Sequence, residues 1–87
     1  MIEVNAIGGD EYEVTVSAGS GQSQHRVTLS PQQLENLCPG TAPEACLEAA
    51  FRFLLDREPK EAILGKFDVM VIAKYFPEFE GKIGDYL

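Results

Sequence analysis

Along this chain the spacing of apolar side chains changes once, at Ser30, and the architecture follows from that change. Before it, apolar and polar residues alternate with period two, the pattern of strands buried on one face and wet on the other. Ile2, Val4 and Ala6 fall on one side, as do Tyr12, Val14 and Val16, and then Val27 and Leu29. Glu3, Asn5, Glu11, Glu13, Thr15, Gln24, Arg26 and Thr28 fall on the other. Between these runs stand Gly8-Gly9-Asp10 and Gly19-Ser20-Gly21, where glycine supplies the positive φ of hairpin turns. Residues 1–30 therefore predict a three-stranded antiparallel meander.

After Ser30 the period is helical. Ser30 is a cap, Pro31 suits a first helical position, Gln33 completes a capping box and Leu29 faces Leu34 as a hydrophobic staple. That helix should end near Leu37, before Pro39-Gly40. A second helix opens at Thr41 or Ala42, with Pro43 and Glu44 in its first turn, and runs to about Arg57. Its apolar stripe is Leu47, Ala50, Phe51, Leu54 and Leu55. Pro59 opens a short helix through Leu64. Val69 to Ile72 is β-branched enough for a strand, yet the cap at Asp68, the staple pair Phe67 and Ile72, and the shared face of Val69, Ile72, Ala73 and Phe76 favour a helix. Pro77 starts a last one, with Phe79, Ile83 and Tyr86 on one side. The expected fold is a two-layer α+β domain. The meander (1–30) is packed on one face by three to four C-terminal helices (31–87), and the other sheet face is wet.

Charge narrows the function classes. Of the net −7, residues 1–51 hold −6, with Arg26 as their one base, and residues 52–87 hold −1. Nucleic-acid binding needs a basic stripe, and here acids interleave with Arg52, Arg57, Lys60, Lys66, Lys74 and Lys82. No apolar run approaches the ~20 residues of a transmembrane helix, and no secretory leader is evident at Met1. The expectation is a soluble, acidic, cytoplasmic domain that does not bind nucleic acid or membranes.

Several short motifs invite chemistry. Gly8-Gly9-Asp10-Glu11-Tyr12 is similar to the Gly-Gly-Asp-Glu-Phe signature of diguanylate cyclases, which also lies on a hairpin. That family's metal site draws on a strand and an acid lying before the motif, and here seven residues precede Gly8. The glycines are read as turn chemistry. The stretch from Gly40 to Leu55 resembles the sheet-packed helix of small HicB-type antitoxins, which implies a helix laid on a sheet. In this chain a short helix intervenes after the third strand. Cys38 and Cys46 lack the spacing of a redox Cys-x-x-Cys or a zinc knuckle. Cys46 is read as a small core hydrophobe and Cys38 as a helix-end residue, unpaired, with His25 inward on the third strand. Glu11 and Glu13 are read as solubilising charges.

Five aromatics crowd the last part of the chain: Phe67, Tyr75, Phe76, Phe79 and Tyr86. Most should close the core, while Tyr75, Phe76, Phe79 and Tyr86 are the candidates for a partner surface. The expected role is a non-catalytic protein–protein interaction or regulatory module, its partner another protein or a second copy in a homodimer, not an enzyme, and with no cofactor, metal or small-molecule ligand. The competing reading is a thiol- or zinc-dependent activity using Cys38, Cys46 and His25.

Overall fold

The computed structural model describes residues 1–87. The meander forms as expected from β1 (Ile2–Gly8), β2 (Glu11–Ala18) and β3 (Gly21–Thr28). Val14 pairs across to Val4 on one side and His25 on the other, and Val16 to Ile2 and Ser23. The two hairpins turn at Gly9 (φ 55°) and Gly19 (φ 63°), conformations that an L side chain resists. Val14, Val16, Val27 and Leu29 are buried, whereas Glu3, Asn5, Gln24 and Arg26 stay exposed, so one period-two face enters the core.

The helical switch also forms where expected. Helix α1 (Pro31–Leu37) has Ser30 as its cap, with both arms of the capping box made: Gln33 N donates to Ser30 Oγ at 3.1 Å and Ser30 N to Gln33 Oε1 at 2.9 Å. Helix α2 (Pro43–Leu55) follows, with Pro43 in its first turn and Glu44 favourably placed at the positive end of its dipole.

The sheet has a fourth strand, which corrects the expected meander of three. Strand β4 (Lys66–Asp68) runs parallel to β3, pairing Lys66, Phe67 and Asp68 with Arg26, Val27 and Thr28, and the strand order is β1-β2-β3-β4. The reason is backbone satisfaction: without β4, the outer edge of β3 would present unpaired groups beside the core. Arg26 N donates to Gly65 O at 2.8 Å, and Val69 N to Thr28 O at 3.0 Å. The connection from β3 through α1 and α2 to β4 is the helical crossover that parallel strands need.

Downstream the elements are shorter than their periodicity predicts. The segment opened by Pro59 is a single 3₁₀ turn, Lys60–Ala62. Helix α3 begins at Val71 rather than at the expected cap Asp68, and ends at Tyr75. Asp68 Oδ1 still accepts from Met70 N, at 2.9 Å, but as a residue of β4 that turns the chain into α3. The final segment is α4 (Phe79–Lys82) followed by a 3₁₀ turn, Ile83–Tyr86.

One buried cluster joins these pieces, and α2 is its axis. Phe51 is fully buried against His25 and Phe67, while Phe53, outside the expected stripe, is equally buried against Phe76, Phe79 and Tyr86. Helix α2 is thus covered on two sides, by the sheet and by the C-terminal turns. No helix is long and apolar enough to cross a membrane.

Candidate functional site

An apolar groove of about 370 Å³ opens where α2, β4 and α3 meet. Leu54 of α2, Ile63, Phe67 of β4 and Ile72 of α3 form its buried wall. Two of its lining residues are large and exposed: Leu64 at 47% and Tyr75 at 68%. Glu58 is its single charged lining residue. The groove exists because the chain leaves α2 at Asp56, turns at Pro59 and returns to the sheet edge as β4, leaving a gap that α3 closes only in part.

Glu58 is half-buried, and the two cations that flank it in sequence, Arg57 and Lys60, are engaged elsewhere. Arg57 Nε donates to Glu78 at 3.2 Å, and Lys60 Nζ to Glu61 at 2.6 Å. Glu58 joins none of the three ion pairs of the chain. Lys74, exposed on α3 beside Tyr75, is likewise unpaired. The neighbouring pairs leave their mark on acidity: Glu61 is lowered by its hydrogen bond from Lys60. Glu78 is lowered by a backbone hydrogen bond first and by Arg57 second.

The four aromatic candidates do not form one surface. Tyr75 is exposed, Phe76 is half-buried on the groove, and Phe79 is fully buried against Phe53. Phe79 is a core residue, because its position in α4 faces α2 rather than water. Tyr86 is tied down: its hydroxyl donates to Asp56 Oδ2 at 2.6 Å and accepts from Arg57 Nη1 at 3.3 Å, while its ring packs edge-on to Phe53. Arg57 completes that knot, donating to Phe53 O at 3.0 Å and lying 3.6 Å above the Phe53 ring. Glu58 and Leu64 escaped the sequence pattern because neither belongs to a periodic face. The break at Pro59 that brings both to the groove was the available signal.

The residues of the thiol and zinc reading lie in two places. Cys38 and Cys46 form a disulfide, with Cα atoms 5.9 Å apart, which corrects the expectation that they are unpaired. The end of α1 and the first turn of α2 meet at Pro39-Gly40, and Gly40, at φ 76°, reverses the chain tightly enough to face the two side chains together. His25 is 3% exposed and both its ring nitrogens are occupied: Nδ1 donates to Leu64 O at 2.7 Å, and in the neutral ring Nε2 accepts from Ser23 Oγ at 2.8 Å. No group of three His, Cys, Asp or Glu side chains converges as a metal site would require. His25 instead latches the groove-lining segment to the sheet.

On the wet sheet face Glu13 pairs across to Arg26 and Arg26 to Lys66, so that row holds one acid and two adjacent bases. No protein-family model, curated protein or solved structure matches the chain.

Proposed function

We propose that this chain is a non-catalytic protein–protein interaction or regulatory module that contacts another polypeptide through the groove between α2, β4 and α3. The observation that carries the reading is the pair of large apolar side chains, Leu64 and Tyr75, held in water at the rim of an apolar trough. An exposed aromatic beside a preformed apolar recess is the usual composition of an anchor site. Leu64 is held in place by the His25 latch on its own carbonyl, so the rim is fixed before any partner arrives.

The test is affinity purification from the native host with tagged wild-type chain and with a Leu64→Ser/Tyr75→Ser double variant. A polypeptide retained by the wild type and released by the variant supports the reading. Identical retained sets from both would overturn it.

A further inference from the structure

We propose that the occupant of the groove is a second copy of this chain. Two molecules meet groove to groove about a two-fold axis, Tyr75 of each lies in the trough of the other, and Lys74 of each pairs with the partner's Glu58. The proposal rests on the interaction reading and names its partner. Three observations lead to it.

First, the face is complementary to itself. A two-fold interface requires that whatever residue i finds on the partner, the partner's residue i finds here. The groove presents a recess, a protruding aromatic and the unpaired carboxylate of Glu58, and next to that aromatic in sequence α3 carries the exposed ammonium of Lys74, which joins no ion pair. Each of these features has its complement among the others, so a single symmetric arrangement uses all four.

Second, the charge distribution permits a like molecule here and opposes it elsewhere. Residues 54–76, which build the groove, contain four acids and four bases, whereas residues 1–51 carry −6. Two copies approaching by this face bring together segments whose charges cancel, so no net repulsion of like charges arises between them.

Third, the neighbouring cations are engaged elsewhere within the chain. Arg57 is held by Glu78, Tyr86 and the carbonyl of Phe53, and Lys60 by Glu61. A half-buried carboxylate without a countercharge gains most from a cation supplied by the molecule that dries the groove.

Sedimentation velocity of the full chain, from micromolar to near-millimolar protein, tests this. The wild type is expected to pass from monomer to dimer across that range, and Tyr75→Ala to weaken the dimer by roughly ten-fold or more. Glu58→Lys and Lys74→Glu should each weaken it, and the double exchange Glu58→Lys/Lys74→Glu should recover most of the loss. Circular dichroism confirms the fold of each variant, and Glu58→Gln with Lys74→Ala replace any exchange that misfolds, each then expected to weaken the dimer. A chain monomeric at every concentration overturns the proposal. So does a dimer indifferent to Tyr75→Ala, or a charge exchange that recovers nothing. A monomer that still retains a different polypeptide through Leu64 and Tyr75 would overturn the second copy as occupant while leaving the interaction reading standing.

Discussion

At the scale of single residues, His25 shows what pattern reading captures and what it omits. Its inward register was legible from Val27 and Leu29. Its partners were not, because Leu64 O arrives from 39 residues away and depends on how the chain returns from α2. His25→Leu keeps the ring's apolar volume in part but strands the Leu64 carbonyl and the Ser23 hydroxyl. The expected cost is about 1–3 kcal/mol in denaturant unfolding, with faster hydrogen exchange at the Arg26 amide, which bonds the adjoining Gly65. Glu78 carries a pH signature. Its carboxyl is lower in the folded chain than its ordinary value, so its contribution is complete above about pH 4.3 and is lost as pH falls through the depressed value. Calorimetry of wild type and Glu78→Gln should give melting temperatures that differ at neutral pH and converge in acid.

Elements were legible in proportion to how local their causes are. The Ser30 box is written in four consecutive letters and formed as read. Gln33 has a further duty, since its Nε2 donates to Asp68 Oδ1 at 2.9 Å and so ties α1 to β4. Ser30→Ala removes the cap and should cost about 1 kcal/mol, measured by thermal unfolding. β4 was hidden because three residues are too few to show alternation, and because its partner is an edge of β3 that exists only in the folded sheet. The β-branched letters that drew attention to a strand begin at Val69, just after it. The disulfide was obscured for a similar reason: spacing gives separation along the chain, while pairing depends on the turn at Gly40. Replacing Cys38 and Cys46 together by serine, or reducing them, should lower stability by about 2–3 kcal/mol in denaturant titration, the scale set by the closure entropy of so short a loop.

For the whole molecule, the α+β class followed from the single change of period, whereas the groove did not. It is a by-product of three non-periodic stretches, the turn at Pro59, the loop at Leu64 and the truncated α3, and only their joint packing leaves a recess. The distinction between core and rim is measurable. Phe53→Ala should cost about 3–5 kcal/mol, while Tyr75→Ser in dilute solution should stay within about 0.5 kcal/mol of the wild type by the same denaturant assay. Equal losses at the two positions would mean that Tyr75 is part of the interior. The placement of α2 between the sheet and the C-terminal turns also bears on how the molecule is made. As the chain leaves the ribosome, Phe53 emerges before Phe79 and Tyr86, the two rings that later pack edge-on to it. Until those last turns dock, the domain displays a greasy flank open to misassembly.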